Sequence, residues 1–99
     1  MNQVAQTILD QLGGRRFIAL TGAKYLMYTV QGLQFKLPSR FANRGINFVN
    51  IILTPADLYD VEFGKIVKLN YKVIESVSGL HFDQLQDVFT RVTGFDTHL

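Results

Sequence analysis

The sequence predicts an α+β fold, a mainly antiparallel sheet of about five strands flanked by an N-terminal and a C-terminal helix. Three observations predict it. Apolar residues recur with helical spacing near both ends of the chain, whereas in the middle they alternate with polar residues. The segments between the predicted strands are too short for the crossovers that parallel strands need. A length of 99 residues is typical of one domain, so residues 1–99 are expected to form a single one.

The first predicted element is an amphipathic helix of about three turns. Val4, Ile8 and Leu12 recur every four residues and therefore lie on one face. Gly13 and Gly14 end this helix, because glycine adopts the left-handed conformation of a helix C-terminus without steric cost. The next segment, "RRFIAL" at residues 15–20, predicts a short strand that ends in the turn of the "TGAK" motif at residues 21–24.

Two further strands are predicted before the middle of the chain. The segment "KYLMYTV" at residues 24–30 forms one of them. Gln31 and Gly32 then predict a two-residue hairpin loop with a positive φ at the glycine. In the following segment, "LQFKL" at residues 33–37, apolar and polar residues alternate, which is typical of a strand with one buried face.

The middle of the chain predicts a loop followed by two strands. Residues 38–45 form the loop by composition. The segment at residues 46–53 is apolar on both sides of its alternation, so a central strand covered on both faces is expected. After a single turn, Tyr59, Val61 and Phe63 alternate with acids and predict a strand that ends at Gly64.

The last part of the chain predicts one more strand and a helix. Residues 65–77 form the strand, with an interruption near residues 69–70. Apolar residues then fall on one face of a helix at residues 81–93, and Gly94 ends it.

Composition excludes several classes of protein. The chain contains no cysteine, so disulfides and thiolate metal sites are excluded. No apolar segment approaches the roughly 20 residues needed to cross a bilayer. The N-terminus lacks the basic and apolar regions of a signal peptide, and a cytoplasmic location without a membrane partner is therefore expected.

The distribution of charge is asymmetric along the chain. Residues 11–56 contain six cations and no acid, whereas residues 57–99 contain seven acids and four cations. Such an asymmetry suggests a polyanionic partner. Folding would instead cancel it if the basic half packed beside the acidic half and the charges paired across strands. The six cations are Arg15, Arg16, Lys24, Lys36, Arg40 and Arg44.

Four segments of the chain carry a resemblance to a known group. They are "LGGRRFIALTGAKYLMY", "LQFKLP", "GINFVNIILTPADLYDVEFGKI" and "DQLQDVFTRVTGFDTHL". With its TGAK, GIN-aromatic-V and DxYDVxFG motifs, the chain resembles small, largely uncharacterised proteins of tailed bacteriophages and prophages. Members often place a polar residue and a phenylalanine after the lysine of TGAK, where this chain has Tyr25 and Leu26. The resemblance implies a phage or prophage source, with host cytoplasm as the location, and implies no activity.

No catalytic or metal-binding pattern is complete. Asp60, Glu62 and Lys65 approach the acid and acid-x-lysine pattern of metal-dependent nucleases, but the spacing from Glu62 to Lys65 is one residue too long. His81 and His98 are too few ligands for a zinc site. We therefore expect no enzyme activity, no cofactor and no metal.

The combination of cations and aromatic residues favours nucleic-acid binding. Cations that follow phosphates and flat side chains that stack on bases are what single-strand binders need. The candidate binding residues are Arg15, Arg16, Lys24, Tyr25, Lys36, Arg40, Phe41 and Arg44. Tyr28 is a further aromatic candidate, but it lies three positions from Tyr25. Two strand residues at that spacing point to opposite faces, so at least one of these tyrosines is expected in the core.

The alternative hypothesis is a protein-interaction module or an inhibitor of a host or phage protein. Phe41 between Arg40 and Arg44 in the 38–45 loop is the kind of anchor that interfaces use. A free sheet edge can also accept a strand of a partner. An uncovered sheet face would allow a homodimer.

Overall fold

The computed structural model describes residues 3–38 and 41–95 and contains one sheet and three α-helices. The helices are α1 (Gln3–Leu12), α2 (Arg15–Thr21) and α3 (Leu85–Thr93). The strands are β1 (Lys24–Tyr28), β2 (Gly32–Lys36), β3 (Phe48–Leu53), β4 (Tyr59–Val67) and β5 (Asn70–Leu80). Short 3₁₀ turns cover Asn43–Gly45 and Phe82–Gln84. The predicted α+β class, with helices at both ends of the chain, is confirmed.

The five strands form an antiparallel meander in the order β1-β2-β3-β4-β5. Because each strand reverses the direction of the one before, one end of the sheet collects the start of β1, the end of β2, the start of β3, the end of β4 and the start of β5. The opposite end collects the other strand ends. This arrangement decides which charged residues become neighbours.

The core lies between the helices and one face of the sheet. In β4, Tyr59, Val61 and Phe63 point into it, as their alternation predicts. Phe89 of α3 lies at its centre, with ring centroids 5.1 Å from Phe17, 6.2 Å from Phe35 and 6.4 Å from Phe63. In α1 the buried residues are Ala5, Ile8, Leu9 and Leu12, which confirms the predicted amphipathic helix.

Residues 15–20 form most of α2, and the strand predicted for them is wrong. An apolar segment this short fits either element, and burial decides between them. Phe17 and Thr21, four residues apart, are both buried, and the Phe17 ring packs edge-on to Phe35 at 5.4 Å. Gly14 and Gly22 border the helix with φ values of 61° and 71°.

A hairpin joins β1 and β2 as predicted, but its loop is residues 29–31 and not Gln31 and Gly32. Gly32 belongs to β2, and the positive φ predicted for it is wrong. The reason for glycine is a close approach of two strands. A Cβ atom at this position would lie 1.8 Å from the carbonyl oxygen of Ile51, which only glycine permits.

Residues 65–77 do not form one strand. The predicted interruption is a full hairpin turn at Lys68 and Leu69, so residues 65–67 continue β4 past Gly64 and β5 begins at Asn70. Lys68 has a φ of 56°, a conformation that a sequence pattern without glycine does not reveal.

The helices cover one face of the sheet only. The prediction that the central strand is covered on both faces is therefore wrong, and Phe48, Asn50 and Ile52 of β3 lie half-buried on the outer face. The final helix is confirmed, with Gly94 at its C-terminus and a φ of 84°. Among the helices of the described residues, none combines the length and apolarity needed to span a bilayer.

Candidate nucleic-acid interface

All five lysines of the chain lie at one end of the sheet. They are Lys24, Lys36, Lys65, Lys68 and Lys72, and we call this the basic end. The antiparallel order explains the clustering, because the lysines stand at the start of β1, the end of β2, the end of β4, the following turn and the start of β5. All five are exposed.

Four of these lysines form two like-charged pairs across neighbouring strands. Lys24 is the direct partner of Lys36, and Lys65 is the direct partner of Lys72. Like charges directly opposite each other destabilise a sheet. Within residues 3–38 and 41–95, no carboxylate lies at ion-pair distance from any of the five lysines. The basic end therefore carries positive charge that favours an anion.

Tyr25 lies close to both ammonium groups of the first pair. Its ring centroid lies 5.7 Å from Nζ of Lys24 and 5.5 Å from Nζ of Lys36, which is within the range of cation–π attraction. The side chain is 71% exposed, and its φ is 54°, an outlier for a bulky residue. Strain of this kind concentrates at functional sites.

A shallow pocket adjoins this tyrosine. Its volume is about 250 Å³, and its described lining consists of Lys24, Tyr25, Lys36, Leu37, Asn47 and Ile66. Two lysines and an aromatic ring thus line one cleft, whose lining is more polar than apolar. Such a combination can hold a phosphate group and a flat ring together.

Asn47 supports the hairpin that borders the pocket. Its side-chain Nδ2 donates to the carbonyl oxygen of Ile66 at 2.9 Å, and its Oδ1 accepts the Ile66 N–H at 2.8 Å. Asn47 immediately precedes β3, and its side chain makes the two hydrogen bonds to Ile66 that the backbone of a paired strand would otherwise make. Beyond Ile66 the hairpin presents Lys68 and Leu69, and Leu69 is fully exposed.

Tyr71 covers part of the outer face beside the pocket. Its ring lies so close to Gly64 that a Cβ atom there would be 2.3 Å from the ring, and it packs edge-on to Phe48 at 5.6 Å. Its hydroxyl donates to Glu62. Burial, followed by the Glu62 carboxylate, raises the pKa of Tyr71, so the hydroxyl keeps its proton and continues to satisfy that carboxylate.

Arg44 reaches the helix-covered side of the same end and already has a partner. It forms an ion pair with Glu75, and Arg91 of α3 lies 3.5 Å from the other oxygen of that carboxylate. The hydrogen bond from Arg44 lowers the pKa of Glu75. Two arginines thus share one carboxylate, and the group keeps a net charge of +1 rather than +2.

The structure brings together only some of the residues that the sequence singled out. Lys24, Tyr25 and Lys36 meet at the pocket. Arg15 and Arg16 lie in the first turn of α2, about 9 Å along the helix axis from its C-terminus, which leads to Lys24.

The predicted aromatic and loop residues have different outcomes. Tyr25 and Tyr28 are both exposed, so the expectation that one is buried is wrong, because the strand is irregular between Lys24 and Met27. Phe41 is 75% exposed in the loop before Arg44. Arg40 lies outside the described residues.

Sequence reasoning missed three lysines of the basic end. Lys65, Lys68 and Lys72 belong to the half of the chain with the acidic excess. Because only the net charge of that half was considered, its lysines were not recognised as a basic group. The available signal was local: residues 63–74, which contain "KIVKLNYK", carry no acid. An acid-free lysine segment around a hairpin turn indicates a basic patch.

The described part of the chain contains no group of three or more histidine, cysteine or acidic side chains that could hold a metal ion. Comparisons with models of protein families, with curated proteins and with solved structures find no match to this chain. The case for a function therefore depends on the geometry and charge of the basic end.

Proposed function

We propose that this protein binds nucleic acid at the basic end, without catalysis. The observation that carries the proposal is the convergence of five exposed lysines at one end of the sheet, with no carboxylate paired to them in the described residues and with Tyr25 close to two of them. An anionic backbone would relieve the repulsion in both lysine pairs.

Phosphate contacts dominate this mode of binding. Lysine ammonium groups are point charges and recognise a phosphate without reading its base. Sequence preference should therefore be weak, and affinity should fall steeply as salt is raised, because bound phosphates release counterions. Stacking on Tyr25 would add about 1–3 kcal/mol for one base.

Fluorescence anisotropy with labelled single- and double-stranded oligonucleotides at several salt concentrations tests the proposal. The double substitution Lys24→Gln/Lys36→Gln should weaken binding about 10- to 30-fold at low salt. It should also reduce the slope of log affinity against log salt by about two units, one for each cation removed. No binding by the unchanged protein at low salt would contradict the proposal.

Arg15→Gln/Arg16→Gln is the matched control. It removes the same charge from α2, whose first turn lies beside Gln86 rather than at the basic end. We expect this control to leave the salt dependence nearly unchanged. If it weakens binding as much as the lysine variant does, net charge and not the basic end is responsible.

The source and location of the protein are part of the same proposal. The resemblance to tailed-phage and prophage proteins favours a phage accessory protein that acts in the host cytoplasm. A gene neighbourhood of replication functions would support this role.

A protein-interaction module is the second candidate. The observation that favours it is Phe41, 75% exposed in a loop next to the ion-paired Arg44, together with the free edges of β1 and β5. Phe41→Ala should then abolish capture of a host or phage protein and leave oligonucleotide binding unchanged. Sedimentation analysis of the purified protein would reveal a homodimer.

A further inference from the structure

We propose that the pocket at Lys24, Tyr25 and Lys36 binds a nucleotide that carries a phosphate monoester, such as the 5′-phosphorylated end of a single strand. The inference rests on the proposed function and narrows it to one ligand group. It follows from the charge, the size and the chemistry of this pocket, taken in turn.

The pocket concentrates two positive charges on one point. Lys24 and Lys36 are direct cross-strand partners, so their Cβ atoms are about 5 Å apart, and both ammonium groups lie within 6 Å of the same ring. A phosphodiester inside a strand offers one negative charge to such a pair. A terminal phosphate monoester offers nearly two at neutral pH, and therefore matches the pair better.

The size of the pocket fits a strand end rather than a whole buried ligand. Its volume of about 250 Å³ is below the roughly 300–1,000 Å³ of typical small-molecule pockets. One phosphate group fits between the lysines, while the attached nucleotide remains largely outside. A base inside a duplex is stacked on both faces and cannot cover the ring, whereas an unpaired terminal base has a free face, so the end of a single strand suits the site best.

Tyr25 makes the site selective for a nucleotide over inorganic phosphate. The ring is exposed and lies beside both ammonium groups, so a base attached to the bound phosphate can reach it. Leu37 and Ile66 give the pocket an apolar lining that suits the edge of a sugar or base. Asn47 lines it as well, but its side-chain amide is already bonded to Ile66.

The decisive experiment compares two labelled oligothymidylates of ten nucleotides that differ only at the 5′ end. Anisotropy titrations at pH 7.5 should show the phosphorylated strand binding about tenfold tighter than the strand with a 5′-hydroxyl. The second ionisation of a phosphate monoester lies near pH 6, so the preference should shrink at pH 5.5. Lys24, Lys36 and Tyr25 are the titratable groups among the described lining residues, and the hydroxyl-ended strand measured at both pH values corrects for any effect of pH on the protein itself.

Two variants with equal loss of charge complete the test. Lys24→Gln/Lys36→Gln should abolish the preference for the phosphorylated strand. Lys65→Gln/Lys72→Gln removes the other like-charged pair of the same end, and it should weaken both strands equally and keep the preference. Circular dichroism checks that both variants fold.

The outcomes separate this inference from the proposed function. Equal binding of the two strands at pH 7.5 would overturn the phosphate-monoester site and leave general nucleic-acid binding intact. Binding of neither strand would end both proposals. Competition by thymidine monophosphate, if it occurs, supports the site and identifies free nucleotides as a second source of the same ligand. Loss of the preference in the Lys65→Gln/Lys72→Gln variant would contradict the assignment to the pocket.

Discussion

The two ends of the sheet use their charged residues in opposite ways. At the end that carries Asp57, Asp60 and Asp83, the Asp60 carboxylate has a structural role, because it accepts the Gly79 N–H at 3.1 Å. At the basic end, five lysines face solvent without a carboxylate partner in the described residues. Like-charged pairs that lie directly opposite each other destabilise the sheet and do not support it.

The two ends also differ in how well their residues suit a left-handed backbone conformation. Asp57 has a φ of 62° in a turn, where a short polar side chain tolerates the left-handed region. At the basic end, Tyr25 and Lys68 adopt φ values of 54° and 56°, which suit neither residue type. The comparison shows that the basic end contains backbone conformations that lower the stability of the fold, whereas the turn at Asp57 suits its residue.

Removal of the support that both ends share should have the largest effect. Phe89→Ala deletes the ring that touches Phe17 and Phe35 at the centre of the core, and it should lower the free energy of unfolding by about 3–5 kcal/mol. Urea denaturation measures this loss. Phe41→Ala, the same change at an exposed position, should cost less than about 0.5 kcal/mol. Similar losses in the two variants would contradict the described core.

Asn47→Ala should selectively loosen the basic end. It removes both side-chain hydrogen bonds to Ile66 and should reduce the free energy of unfolding by about 1–3 kcal/mol. Hydrogen exchange of the Ile66 amide should accelerate at the same time. Asn50→Ala, on the outer face of β3, is the control and should change stability by less than about 0.5 kcal/mol. Unchanged exchange at Ile66 would refute the supporting role of Asn47.

Substitution of the two exposed tyrosines of β1 should give unequal results. Tyr25→Gly relieves a left-handed backbone that costs about 1–2 kcal/mol, and this gain offsets the flexibility of glycine. Its free energy of unfolding should stay within about 1 kcal/mol of the unchanged protein. Tyr28→Gly relieves nothing and should destabilise by more than about 1 kcal/mol. Thermal and urea melts compare them, and an equal loss in both variants would argue against strain at Tyr25.

The smallest expected effect concerns the ion pair on the helix-covered side of the basic end. The hydrogen bond from Arg44 lowers the pKa of Glu75 below its ordinary value of 4.5. The pair therefore stabilises the fold fully above about pH 4.5, and this contribution is lost as the pH falls through the lowered pKa. The melting temperature of Glu75→Gln should be slightly below that of the unchanged protein at pH 6, and the two should converge near pH 2. A constant difference across this range would exclude the Glu75 ionisation as its cause.

Local patterns predicted the regular elements well. The four-residue spacing of Ile8 and Leu12, and the alternation from Tyr59 to Phe63, indicate both the type of each element and its buried face. The strand predicted at residues 15–20 was wrong, because six residues contain too little periodicity to distinguish a helix from a strand. Only the packing of Phe17 against Phe35 and Phe89 shows that it is a helix.

The candidate site was only half predictable. Lys24, Tyr25 and Lys36 were identified from their residue types, as cations and an aromatic residue in the acid-free part of the chain. Lys65 and Lys72 were assigned to an acidic half, because net charge along a chain does not show which residues become neighbours in a sheet.

By itself the sequence determined the α+β class, the two terminal helices and the buried face of the alternating strands, since all of these depend on side-chain periodicity within a few residues. Only the tertiary structure decided that the lysines of both halves share one end, that one face of the sheet stays uncovered and that Tyr25 lies close to two ammonium groups. The physical reason is that these features depend on strand order and register, which come from contacts between residues distant in the chain.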